Sequence, residues 1–194
     1  MRAVITAGSL VALGFALVAA APGQSSADSL CCVATTLYLH AEPTTAPATK
    51  PDAKKAFEEI SKAVVGKWKL VLDEGMKEPM SGETEFKLTA AGSVIMETML
   101  PGTQMEMVNL FAIDNDDLLV THYCASGNQP RMRLVSAEGG VYTFEFIDGT
   151  NISPDAEYMG GLKITIAGEK VIEDWTSFLK NKPTSTMHLP LGRQ

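Results

Sequence analysis

The hydrophobic pattern changes period at Gly66. Before it, Phe57, Ile60 and Val64 recur at three- and four-residue spacing, with Lys54, Lys55, Glu58, Glu59 and Lys62 between them. That spacing predicts one short amphipathic helix, capped at its start by Asp52 and ending near Gly66. After Gly66 the period is two: Trp68 and Leu70 alternate with Lys67 and Lys69, and Phe86 and Leu88 with Glu85 and Lys87. The same alternation runs through Tyr142-Phe144-Phe146 and Leu162-Ile164-Ile166. About ten such runs are read, near 65–73, 82–90, 93–100, 104–113, 117–125, 130–137, 140–147, 161–167, 170–179 and 184–191. Turn chemistry separates them at Ala91-Gly92, Pro101-Gly102, Asp114-Asn115-Asp116, Gly139-Gly140, Gly168 and Asn181-Lys182-Pro183. The expected fold is therefore all-β: an antiparallel up-and-down closed barrel of about ten strands, with the helix capping one end. A sandwich is the alternative. The longest unpatterned stretch, 148–160, reads as a rim loop able to act as a lid.

The chain ahead of the helix has a different composition. Arg2 followed by an uncharged, apolar or small stretch from Ala3 to Ala21 reads as a secretory signal peptide, with cleavage expected after Ala27. An uncleaved anchor is the alternative. Residues 28–51 carry Pro43, Pro47 and Pro51 among Thr and Ala and read as a flexible leader, so the folded domain spans 52–194. The expected location is outside the cytoplasm, periplasmic or extracellular, with no stable membrane span once the signal is removed. Leu30 ahead of Cys31-Cys32 fills a position that lipid attachment wants small. One of these cysteines could pair with Cys124, or all three could be thiols.

Charge narrows the partners. Of 194 residues, 16 are Lys or Arg and 23 are Asp or Glu, a net charge of −7. Removing residues 1–27 takes away one arginine and leaves −8. An acidic chain lacks the basic surface that nucleic acid requires.

The densest cluster of reactive side chains runs from Thr121 to Arg133. Strand parity puts His122 and Cys124 on one face with Leu118 and Val120. That pair could ligate a metal or act as nucleophile and base, but a histidine on an apolar face is more often a hydrogen-bonded core residue. No CxxC or HExxH spacing supports a metal, and none is expected. Glu97 lies between Ile95 and Met99 on an apolar face, so its carboxyl is expected inside and in need of a partner, with Arg131 or Arg133 as candidates. Glu145 faces solvent by alternation, or joins that cluster. Met96, Met99, Met105 and Met107 fill core space or line a deformable pocket.

Gly66-Lys67-Trp68, Glu97-Thr98, Glu106-Met107-Val108, the Thr-His-Tyr-Cys…Gly-Asn-Gln-Pro-Arg run, Phe144-Glu145-Phe146 and Glu173-Asp174-Trp175 together resemble an uncharacterised family of exported bacterial proteins. That family is similar to the calycin barrels: lipocalins, fatty-acid-binding proteins and haem-binding nitrobindins. The resemblance covers about residues 57–193 and implies a ligand-holding barrel without an activity to carry over. It brings haem into consideration, with His188 near the place of a nitrobindin-like ligand, although parity with Met187 and Leu189 turns His188 outward. Relatives carry His-Met-His where this chain has Tyr158-Met159-Gly160, which weakens a haem role, and no cofactor is expected.

The leading expectation is a non-enzymatic barrel that buries a small apolar or amphipathic molecule. Trp68, Phe86, Met107, Val120, Phe144 and Trp175 would hold the apolar part in an internal cavity of at least about 300 Å³. Glu97, His122, Asn128 and Arg131 would fix the head group, beside Cys124. The alternatives are an enzyme using His122 as general base with Glu97 or Cys124, and an envelope interaction module whose barrel is filled.

Overall fold

A computed structural model describes residues 49–71 and 81–194. The expected signal peptide, Cys31, Cys32 and the expected leader up to residue 48 lie outside the described residues.

Helix α1 (Ala53–Val64) comes first, followed by strands β1 (Gly66–Leu70), β2 (Glu83–Thr89), β3 (Val94–Met99), β4 (Met107–Asp114) and β5 (Asp117–Tyr123). Strands β6 (Gln129–Glu138), β7 (Val141–Thr150), β8 (Glu157–Ala167), β9 (Lys170–Leu179) and β10 (Lys182–Arg193) complete the chain. Each strand pairs antiparallel with the next, and β10 returns to β1, giving a closed ten-stranded up-and-down barrel. Closure leaves no free sheet edge, which suits a fold of short, half-polar strands.

The helix begins as its sequence dictates. The Asp52 side chain accepts a hydrogen bond from the Lys55 N–H at 3.0 Å. Ala53, Ala56, Phe57, Ile60 and Val64 are buried and join the barrel core with Trp68, Phe111 and Leu118. Tyr142 on β7 donates to Glu59 at 2.8 Å, fixing the helix against the barrel wall. Since α1 leads directly into the start of β1, it sits at the barrel end where β1 begins.

One expectation about the rim changes. Strand β7 continues to Thr150 and β8 starts at Glu157, so the irregular stretch is 151–156 and not 148–160. Register shifts between Arg131 and Met132 and between Met159 and Gly161 break the alternation there, which hid two strand ends. The second shift comes at a glycine pair: a Cβ on Gly160 would stand 2.5 Å from the Phe178 ring.

Among the described residues, no helix is long and apolar enough to cross a membrane.

Candidate functional site

Register, more than local sequence, assembles the polar residues inside the barrel. Glu97 on β3 lies opposite Asn109 on β4, and Asn109 lies opposite His122 on β5. Opposed residues share a face, so these three side chains form a row across the inner wall. All are buried: Glu97 and Asn109 are 0% exposed and His122 is 1% exposed.

The row is hydrogen-bonded end to end. Asn109 Nδ2 donates to Glu97 Oε2 at 2.7 Å, and Asn109 Oδ1 meets His122 Nδ1 at 2.6 Å. The carboxylate claims the amide N–H, so the amide oxygen faces histidine and Nδ1 must carry the proton. Nε2 is then a bare lone pair, and it has no partner among the described residues. Thr84 donates to Glu97 Oε1 at 2.9 Å.

Glu173 on β9 is also buried and comes to Glu97. Its Oε2 accepts from Trp175 Nε1 at 3.1 Å, and the Trp175 ring lies 5.0 Å from the His122 ring, centroid to centroid. Contacts therefore run His122–Asn109–Glu97–Glu173–Trp175 and back to His122. Glu173 Oε1 has no donor among the described side chains. Two acceptor-only carboxylates cannot bond each other, so their contact requires a proton between them. Burial pushes the Glu97 carboxyl up from 4.5 to about 7, against the lowering effect of Asn109 and Thr84. Burial, with the charge of Glu97 beside it, raises Glu173 well above the usual carboxylate range. Burial also lowers His122 from 6.5 to about 4, so its imidazole is neutral at pH 7.

A small pocket of about 60 Å³ borders this pair, lined by Glu97, Glu173, Thr84, Met99, Met107, Met187 and four leucines, with Glu83 at its edge. Leu70 ends β1 and Glu83 opens β2, so the pocket lies toward the end opposite the helix. Leu70, Glu83 and Leu100 also line an outer cleft of about 490 Å³, which makes them the pocket's mouth.

Among the described residues, the expected set does not together line an internal cavity of at least about 300 Å³; Phe144 borders an open cleft of about 740 Å³ with Tyr158 and Phe178, apart from the rest of the set. Trp68, Phe86, Val120 and Phe144 are 0–1% exposed and fill the barrel with one another's side chains. Trp68 bonds the helix through Val64 O at 2.6 Å, and Phe144 packs edge-on against Phe111. Of the residues singled out from sequence, Glu97 and Met107 line the pocket, while His122 and Trp175 complete the polar circuit behind it.

The others lie elsewhere. Arg131 is on the outer wall, paired with Asp148, and Arg133 reaches Asp117 at 3.7 Å. Neither meets Glu97, because Met132 and Leu134 take the inward positions of β6. Cys124 lies past the end of β5, half-buried, where its sulfur accepts from Ser126 at 3.1 Å; it has no disulfide partner among the described residues and stands apart from the His122 hydrogen bonds. Asn128 is buried, with its amide N–H on Glu157 O at 3.0 Å and its Oδ1 unpartnered among the described residues. Glu145 is exposed. His188 contacts Asp174 at 2.5 Å on the outer face.

Sequence reasoning passed over Thr84, Asn109, Glu173 and Met187. Parity was available for Glu173, which alternates with Val171 and Trp175 as Glu97 does with Ile95 and Met99. Among the described residues, no group of three or more His, Cys, Asp or Glu side chains forms a metal cage.

No family model matches this chain, and no curated protein matches it.

Proposed function

We propose that the protein is an exported binding barrel that holds a small amphipathic molecule at the methionine-walled pocket beside Glu97 and Glu173. The observation that carries this reading is the buried acid pair at the edge of an interior pocket. Taking one carboxylate out of water costs several kcal/mol, and two side by side cost more. Apolar residues of the same size would stabilise the barrel better, so stability alone gives no reason for the pair. The pocket is small, yet Met99, Met107 and Met187 each have three rotatable side-chain bonds and can reshape the wall around a ligand. The ligand's polar end would sit at the carboxyls and its apolar end would leave past Leu70 and Leu100. The likeness of the sequence to calycin-like exported proteins points the same way.

Native mass spectrometry of the chain, purified from the medium or periplasm without denaturation, tests this. The expected result is a bound small molecule that is absent from a Leu189→Phe variant, whose larger ring occupies the pocket. A bare protein mass, or a bound molecule that Leu189→Phe retains, would overturn the reading.

One observation favours a second reading, in which His122 is a general base. Its Nε2 lone pair is free among the described residues, and Asn109 links its other nitrogen to Glu97. Cys124 takes no part in that arrangement. Turnover lost in His122→Gln but kept in Cys124→Ser would distinguish this reading from simple binding.

A further inference from the structure

The hydrogen-bond balance inside the barrel is one-sided. Three buried side-chain atoms lack a partner among the described residues: His122 Nε2, Asn128 Oδ1 and Glu173 Oε1. His122 Nε2 and Asn128 Oδ1 are acceptors, given the Asn109 orientation that Glu97 imposes, and Glu173 Oε1 is the oxygen left for the proton shared with Glu97. What the interior lacks is a donor. The charged residues lining the pocket are Glu83, Glu97 and Glu173, all acidic, and no lysine or arginine is among its lining residues. Arg131, the expected partner for an anionic head group, is on the outer wall with Asp148.

We propose, resting on the pocket reading above, that the head group this site takes is a primary ammonium, which donates to Glu97 and Glu173 while its alkyl part packs on Met99, Met107 and Met187. An ammonium matches the lining acids in sign and in donor count. It offers three N–H donors to acceptors that have lost their water, and a single positive charge to a pair that bears one negative charge when one proton is shared. A carboxylate or phosphate head would place a further anion beside two carboxyls, with no cation in the lining to offset it. A neutral alcohol supplies one donor and leaves the charge unpaired.

Protons follow from the same geometry. The titratable groups facing the head group are Glu97 on β3, Glu173 on β9 and Glu83 at the mouth on β2, with neutral His122 on β5 behind them. With both inner carboxyls protonated the pair is neutral and holds an ammonium poorly; loss of one proton creates the anionic site. Glu97, raised to about 7, is the first to lose its proton. Ammonium binding therefore tightens by about tenfold from pH 6 to pH 8, because the fraction of pairs that has lost a proton rises by that factor.

The test is calorimetric titration of the whole chain with n-propylamine, 1-propanol and propionate at pH 6 and pH 8. Trp175 fluorescence, in a Trp68→Phe background, gives a second readout, since Trp175 bonds Glu173. The expected result is that the amine binds more tightly than the alcohol, that propionate binds weakest, and that only the amine gains about tenfold at pH 8. Glu97→Gln is expected to bring amine affinity down to that of the alcohol and to remove the pH dependence. Alcohol or propionate binding as tightly as the amine would overturn the ammonium assignment and leave the pocket reading standing. Failure of all three probes to bind would overturn both.

Discussion

At the scale of single residues, the interior acids set a pH dependence opposite to the usual one. Most carboxylates are stabilised by folding and lose that stability in acid. Glu97 is the reverse, its folded value being about 7 against 4.5. Between those values the folded chain holds a proton that the unfolded chain has released, so stability falls as pH rises. The 2.5-unit rise amounts to about 3 kcal/mol by pH 8, at about 1.36 kcal/mol per unit. His122 works in the other direction, since its value drops from 6.5 to about 4 and stability is lost as pH falls through that window. The two oppose each other below pH 6.5, and above it the acid pair acts alone. Urea unfolding midpoints should therefore decline from pH 6.5 to pH 8.5, and Glu97→Gln should flatten most of that decline. A wild-type curve that stays level or rises would show that burial does not hold Glu97 protonated in the folded protein. Glu97 itself was legible in the sequence, because Ile95 and Met99 fix its face. Its partner was not, because a contact between β3 and β9 depends on how the barrel closes rather than on any local spacing. The outward position of Arg131 was readable from the apolar Met132 and Leu134 beside it.

At the scale of elements, the C-terminal strand holds the helix. The last carbonyls of a helix have no partner within it. Here Arg193, at the end of β10, donates to Ala63 O at 2.7 Å and Val65 O at 3.0 Å, while the Trp68 indole takes Val64 O. The guanidinium also lies 4.4 Å over the Trp68 ring. Gly66 makes room for it: φ is +139° there, and an added Cβ would stand 2.6 Å from Arg193 Nη1. Arg193→Ala should lower stability by about 1–2 kcal/mol, from charge-assisted hydrogen bonds in a solvent-exposed setting. Arg193→Lys should recover little, having no fork to span two carbonyls, and Gly66→Ala should cost at least as much as Arg193→Ala. Unfolding midpoints at constant denaturant slope measure all three; a neutral Arg193→Ala would remove the cap from the account. The helix and its start at Asp52 were plain from periodicity, whereas this cap joins residues more than a hundred positions apart and leaves no local trace. The ends of β7 and β8 were hidden for a different reason: bulges shift the parity on which strand reading depends.

At the scale of the whole molecule, stability depends on one seam. Strand β1 meets β10 through Trp68 opposite Arg193, Lys69 opposite Gly192 and Leu70 opposite Leu191. Val71 N–H adds a bond to Pro190 O and Gln194 N–H one to Lys67 O, both at 2.9 Å. Every other neighbouring pair is consecutive in the chain, so only this seam depends on the two ends of the fold finding each other. Removing residues 189–194 would leave β1 without its β10 partner and free the facing edge of β9. It would also uncover Leu70 and delete Leu189 and Leu191 from the pocket wall. Two open edges in place of none should turn a cooperatively folded barrel into a chain that pairs with its own copies. The expected outcome is loss of a sharp thermal transition, concentration-dependent association in sedimentation, and fast amide exchange beginning in β1 and β9. Arg193→Ala, which keeps the seam and loses only the cap, should do none of these. If the truncated chain still unfolded in one sharp step at the wild-type midpoint, the nine pairs of consecutive strands would suffice, and closure would serve the pocket rather than the fold.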